Sequence, residues 1–394
     1  MKNRIFRLLC LFLSVSLILM SCKNKPILKY QVTLNDGYSN NYEYFSGDTV
    51  HVFSRNEATN EIFSTWSGDT TNLNMQNEWR SYFIMPAKNI SLSANFTPLN
   101  YNLTFEKIKG KNSLKNVYYY FPQNHKGIVY LFHGAYGNTD SWTNYTENIS
   151  MIKELISNKF AVIITESEAV RWDAATLDSI NNVDFANLKA ITDTFYNRGI
   201  TNRSISRYTI GQSNGGSFSI SFASYFKLKA SVAYCASGGA TGGTVNTTST
   251  PILFCLQGKD NNSTMGTSGN SSAISNSKAL TFKGVCSRYH INEPTPLYEY
   301  RFSRNPLISN NLSQQIFNEI KINNLLNDKN YFLGYTNNLW TISNAQPQNF
   351  PVISTLNTTQ KNIVDEQISC ITADHQFYSD YKKTTIAFLN NQCQ

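Results

Sequence analysis

The pentapeptide Gly211-Gln212-Ser213-Asn214-Gly215 fits the pattern G-x-S-x-G. Tyr208-Thr209-Ile210 before it read as a strand, and Phe218, Ile220, Phe222 and Ala223 after it as the apolar positions of a helix. A serine held at a sharp strand-to-helix turn presents its hydroxyl free of bulky neighbours, as covalent acyl transfer requires. Gly211, Gly215 and Gly216 remove the side chains that would crowd such a turn. The helix N-terminus favours developing negative charge. A purely structural glycine-rich turn is the competing reading.

A serine nucleophile needs a base and an acid. Only His290 and His375 follow Ser213. His375 lies in ITADHQFYSDYKKTTIAFLNN, read as a strand-like run, a short loop and a closing helix. His290, with Pro294 and Pro296 nearby, reads as a surface loop residue. His375 is therefore the candidate base. The first carboxylate after Ser213 is Asp260, in QGKDNN just past the strand-like PILFCL. There it can accept the imidazole N–H and steady the imidazolium; capping a loop or helix is its alternative role. Asp328 and Asp365 are weaker candidates. Asp374 adjoins His375, and adjacent side chains rarely face each other, so it is set aside as the acid. In His133-Gly134-Ala135-Tyr136-Gly137, an N–H of Ala135 or Tyr136, with that of Asn214, can form an oxyanion hole. His133 precedes the serine and reads as structural. Trp142 and Trp172 are expected either to stack on substrate or to fill the core.

These residues must be carried by a rigid frame. KGIVYLFHG, FAVIITES, SRYTIGQ, ASVAYC and PILFCLQ read as buried strands, and Asp184 to Tyr196 has helical spacing. Strands alternating with helices predict a mostly parallel, doubly wound sheet, with the chemistry at the strands' carboxyl ends. Asn261 to Ser272 reads as a polar loop and Leu312 to Asn327 as a helix. The interval of about 284–350 reads as a cap-like insertion, with Trp340 as a candidate substrate contact. Upstream, YQVTLNDGYSNNYEYFSGDTVHVFSR alternates apolar and polar residues around Gly and Asn turns, which predicts a small all-β unit over 30–98. The main domain spans 101–394.

The 394-residue chain is 41% hydrophobic and 15% charged, enough to bury a sizeable core. Its formal charge is +8, but Lys2, Arg4 and Arg7 lie in a segment expected to be removed. No long Lys/Arg run is present, so nucleic acid is not an expected partner. The start, MKNRIFRLLCLFLSVSLILMSC, resembles a bacterial lipoprotein signal over 1–21. That resemblance implies cleavage before Cys22, lipidation of Cys22, a tether over 22–29 and attachment to the outer membrane or cell surface. Cys235, Cys255, Cys286, Cys370 and Cys393 remain; their odd number leaves at least one thiol free, and their spacing fits no metal site.

YQVTL, GDTVHV, WSGD and the strand after MPA resemble the internalin-type B-repeat module of bacterial surface proteins. Such modules serve as spacers or adhesive units. NVDFANLKAITDTFYNRGITNRSISRYTIGQSNGG, with the HGAYG turn, Trp142 and the GKD loop, resembles secreted esterases of the polyhydroxyalkanoate-depolymerase and feruloyl-esterase type. The resemblance implies an α/β-hydrolase fold, a Ser213–Asp260–His375 triad and oxyanion donors at Asn214 and the HGAYG turn. It implies hydrolysis of polymer or plant-wall esters without metal or cofactor. The long interval between Asp260 and His375 departs from the family. Two rival readings are a serine peptidase of the same fold and a carbohydrate-binding or adhesive lipoprotein with an inactive hydrolase domain.

Overall fold

The computed structural model describes residues 28–238, 245 and 247–393. The expected signal segment and Cys22 lie outside the described residues. No described helix is long and apolar enough to cross a membrane.

The first strands are β1 (Lys29–Asn35), β2 (Gly37–Ser39), β3 (Glu43–Phe45), β4 (Thr49–Ser54), β5 (Glu61–Gly68), β6 (Arg80–Ile84) and β7 (Ile90–Pro98). They form a four-stranded sheet ordered β3-β1-β7-β5 and a three-stranded sheet ordered β2-β4-β6. Val50, Val52, Phe53, Trp66, Trp79 and Phe83 fill the space between them, and Tyr298 from far along the chain joins this core.

The remaining strands are β8 (Thr104–Lys109), β9 (Leu114–Tyr120), β10 (Gly127–Phe132), β11 (Phe160–Thr165), β12 (Ser206–Gln212), β13 (Ala230–Tyr234), β14 (Ile252–Gln257) and β15 (Ser287–Asn292). They form one eight-stranded sheet ordered β15-β14-β13-β12-β10-β11-β9-β8. β9 pairs antiparallel with both neighbours, and the pairings from β11 to β15 are parallel. This strand order is that of the α/β-hydrolase fold.

Between and after these strands run α1 (Asp140–Thr143), α2 (Thr146–Ser157), α3 (Val183–Asn197), α4 (Asn214–Tyr225), α5 (Gly266–Phe282), α6 (Asn310–Ile322), α7 (Thr336–Ala345), α8 (Thr358–Ile371) and α9 (Lys382–Asn391). Side chains alternate across the buried strands. Val129 and Leu131 meet α2 and α9 through Met151, Leu155 and Leu389 on one face. Ile128, Tyr130 and Phe132 meet α3 and α4 through Phe185, Leu188 and Phe222 on the other. Apolar runs such as FAVIIT are continuous because both faces are covered.

Four local expectations need correction. The segment entering the His375 loop is helix α8, not a strand; Asn357 and Gln360 form a capping box at its start, and Ile363, Val364, Ile368 and Ile371 bury one side. The polar loop after Asp260 is shorter than expected, since α5 begins at Gly266. The helix expected over Leu312–Asn327 is α6, which ends at Ile322. His290 lies on β15, paired opposite Cys255, with Nδ1 3.1 Å from the Tyr378 hydroxyl. Burial pushes its pKa down to about 4. Beyond Asn292 the chain builds a helical layer around Leu297, Phe302, Ile316, Leu339 and Ile368.

Candidate active site

β10 lies between β11 and β12, so the chain leaves it first to one side and later to the other. Ligand crevices form at such a reversal, outside the carboxyl ends of the strands. Phe132 ends β10 and Gln212 ends β12, and Ser213 follows in the turn into α4. Ser213 has φ 54° and ψ −121°, a left-handed conformation that costs a non-glycine residue about 1–3 kcal/mol. Its N–H donates to Tyr234 O at 2.8 Å, and its carbonyl accepts from Ser217 at 3.0 Å. The turn has no room for side chains. A Cβ on Gly211 would fall 2.1 Å from Gly215 O, and one on Gly215 would fall 2.3 Å from His133 O.

His375 Nε2 lies 2.9 Å from Ser213 Oγ, and its Nδ1 lies 2.8 Å from Asp260 Oδ2. The Asp260 side chain is fully buried and its Oδ1 accepts the Asn262 N–H at 2.9 Å. With Nδ1 donating to the carboxylate, Nε2 is left to accept the serine proton. Asp374, set aside as the acid, has a different place. Its Oδ1 accepts the N–H of His375 at 2.7 Å and of Asn261 at 2.9 Å. Lys259 N also donates to Ala373 O at 2.9 Å. The acid loop and the histidine loop are thus latched together by one backbone–backbone bond and one bond to the Asp374 carboxylate. Spacing alone gives no sign of this latch, because it joins residues more than a hundred positions apart.

The oxyanion candidates separate. Asn214 is the first residue of α4, so its N–H has no partner within the helix. The Tyr136 N–H donates to Val170 O at 2.7 Å and is not free, which removes Tyr136 as a donor. Ala135 remains. The turn that carries it is rigid: His133 donates from Nδ1 to Gly134 O at 2.7 Å and accepts from Ser167 N at 3.2 Å. Burial lowers the pKa of His133. It is a buried structural residue, as its position upstream of the serine suggests.

Three side chains in the site carry metal-ligating atoms within 4.8 Å of one another: Cys235, Asp260 and His375. Asp260 and His375 are already bonded to each other, and Cys235 donates to Gln376 O at 3.4 Å. Burial, above all, raises the Cys235 thiol well beyond its usual range. A metal here would have to displace the thiol proton and compete with the hydrogen bonds that already join Ser213, His375 and Asp260.

No protein-family model and no curated protein sequence matches this chain. Among solved structures it is similar to a dienelactone hydrolase from Anabaena variabilis, with 14% identity, a TM-score of 0.37, and coverage of 48% of this chain and 84% of the other. It is similar to Est1E from Butyrivibrio proteoclasticus with ferulic acid bound, at 12% identity and TM-score 0.37 over 48% and 88% of the two chains. An esterase from Pyrococcus furiosus matches at 12% identity and TM-score 0.38 over 48% and 81%. The fold is assigned by the strand order described above.

A cleft of about 960 Å³ opens over Ser213 and His375. Tyr145, Asn262, Met265, Thr359, Asn362 and Ile363 wall it, so α8 of the added helical layer borders the site. The three tryptophans do not. Trp142 is completely buried, edge-on to Phe377 at 5.0 Å. Trp172 is buried against Phe132 and Phe218, with Nε1 donating to His133 O at 3.0 Å. Its backbone exchanges two hydrogen bonds with the Asn214 side chain, at 2.8 and 3.1 Å, so it holds the turn rather than the substrate. Trp340 is half-buried in the helical layer and donates to Asp365. The exposed aromatic side chain at the cleft is Tyr136, which is 74% exposed; Tyr145 also lines the wall but is half-buried. The Arg171 guanidinium donates to its hydroxyl at 3.0 Å and sits 5.2 Å from its ring centre. A ring beside a catalytic-type turn is its only sequence signal.

Proposed function

We propose that this chain is a serine carboxylic ester hydrolase that works through an acyl-enzyme at Ser213. The observation that carries the reading is the continuous hydrogen-bonded chain from Ser213 through His375 to buried Asp260 beneath the cleft. In this reading Ser213 Oγ attacks the ester carbonyl carbon while His375 Nε2 takes its proton. The carbonyl oxygen becomes an oxyanion held by the N–H groups of Ala135 and Asn214, each worth on the order of 3 kcal/mol. Collapse breaks the C–O bond, and the alcohol leaves with the proton from His375. Water then attacks the acyl-serine, gives its proton to His375, and the acid departs as Ser213 recovers its hydrogen. Every proton is carried by the chain's own groups, so the steps call for no metal or cofactor.

We read the substrate as a polymer-borne or plant-wall-type ester. A wide cleft rich in Asn, Ser and Thr with an exposed tyrosine suits such a ligand. We also read the chain as exported and anchored to a membrane through lipid on Cys22. The Cys286–Cys393 disulfide fits an oxidising compartment.

Turnover of p-nitrophenyl acetate tests the function. Ser213→Ala is expected to lower kcat by about 10³-fold or more with the fold intact. Cleavage of peptide amides without ester turnover would replace the reading with a peptidase. Inertness to both, with polysaccharide still bound, would replace it with a binding protein.

A further inference from the structure

The chain that follows His375 is gripped from the N-terminal β-module, about three hundred residues upstream. Arg80, the first residue of β6, forms an ion pair with Asp380 at 2.8 Å, and both side chains are more than nine-tenths buried. The same guanidinium donates to Asn292 Oδ1 at 3.1 Å. Asn292 donates to Gln257 Oε1 at 2.8 Å, and Gln257 donates to the carbonyl of Gln376 at 3.0 Å. Gln376 is the residue next to His375. Arg80 therefore reaches the histidine loop by two routes. One is direct, five residues downstream; the other runs through two buried amides at the ends of β14 and β15.

Further contacts hold the same segment. Glu57 accepts from Lys382 at 2.7 Å, and Glu78 accepts from the N–H groups of Lys383 and Thr384 at 3.1 Å each. Glu147 of α2, in the main domain, accepts from Ser379 N at 3.1 Å. A separate contact between module and helical layer, Tyr331 with His51 at 3.1 Å, does not touch this loop.

We propose that the β-module is part of the scaffold of the active site, and that Arg80 is a positioning residue for His375. A spacer or adhesive unit would need no buried ion pair to the loop that carries the base. Loss of Arg80 alone strands a buried carboxylate, so the informative variant removes both charges: Arg80→Met with Asp380→Asn. The inference rests on His375 being the base of an esterase, and the experiment keeps the two apart.

In the full-length protein, kcat and KM for p-nitrophenyl acetate are measured beside amide hydrogen exchange of residues 372–381. The double variant is expected to lose about tenfold or more in kcat, with KM within about twofold, since small displacements of a catalytic group are costly. Exchange across 372–381 should quicken by a similar factor while β10 and β12 stay protected. Arg80→Lys, which keeps the charge but not the second bond, should fall between. Tyr331→Phe, which weakens docking elsewhere, should match the wild type. Exchange over 372–381 that is unchanged in the double variant overturns the proposal, whether or not the protein turns over the ester. Wild-type kcat in the double variant overturns it too. If the wild type proves inert while the exchange responds, the esterase reading falls and the grip on the loop stands.

Discussion

Asp260→Asn should nearly abolish turnover, whereas Asp374→Asn should barely matter. Asp260 meets His375 Nδ1 through Oδ2 at 2.8 Å and the Asn262 N–H through Oδ1 at 2.9 Å. Asparagine has the same shape but one donor end. If its NH₂ faces Nδ1, the ring must place its proton on Nε2, aimed at Ser213, and it can no longer act as base. If the amide flips, the NH₂ faces the Asn262 N–H, and losing that buried bond costs about 1–3 kcal/mol. Either way the imidazolium loses its carboxylate. The combined loss should be about 10³–10⁴ in kcat, or roughly 4–5.5 kcal/mol of barrier. Asp374 accepts two backbone N–H groups through one oxygen, and an amide carbonyl can accept both. Asp374→Asn should stay within about threefold of wild type, and Asp374→Ala, which removes the carboxylate's share of the latch and leaves only the Lys259–Ala373 bond, should lose about 10- to 100-fold. The assay is steady-state hydrolysis of a soluble ester near neutral pH, with KM expected within about twofold throughout. Equal damage from the two Asn variants, or an active Asp260→Asn, would refute the assignment of Asp260 as the acid.

Two further outcomes concern stability. Glu78 is buried at the module's contact with α9, and its carboxyl is pushed up from 4.5 to about 8, mainly by burial. The folded state keeps this proton where the unfolded state has lost it, so its contribution to stability falls as pH rises from 4.5 to about 8. Glu78→Gln should melt like the wild type at acid pH and resist unfolding better by on the order of 5 kcal/mol in mild alkali; parallel pH profiles would contradict this. The Cys286–Cys393 bond spans 107 residues, and replacing both cysteines by alanine should cost about 2–5 kcal/mol in urea unfolding. Turnover should be unchanged by that replacement, because neither cysteine lines the cleft; a fall in kcat without a fall in stability would contradict it.

Much of the frame is legible in the sequence because burial on both faces writes itself as continuous apolar runs, as in Phe160–Thr165. Ser213, Asp260 and His375 are legible because the types are scarce: two histidines follow the serine, and forty-six residues pass before a carboxylate. Other features are hidden for physical reasons. Short apolar runs such as Ile368–Ile371 do not distinguish strand from helix, and the capping box far upstream settles it. Tryptophan is large enough to suit core or cleft, and Trp142 and Trp172 go to the core. Tyr136 fails as a donor only because a distant carbonyl, Val170 O, has taken its N–H. Arg80 reads as one polar residue in a hairpin-rich segment, and its partner Asp380 lies 300 residues away.

A fluorophosphonate probe with peptide mapping tests the central claim most directly, since it reports an activated serine without knowledge of the substrate. The adduct is expected on Ser213, and labelling should collapse in His375→Ala. Labelling of another serine, or of Ser213 at an undiminished rate without His375, would contradict the account.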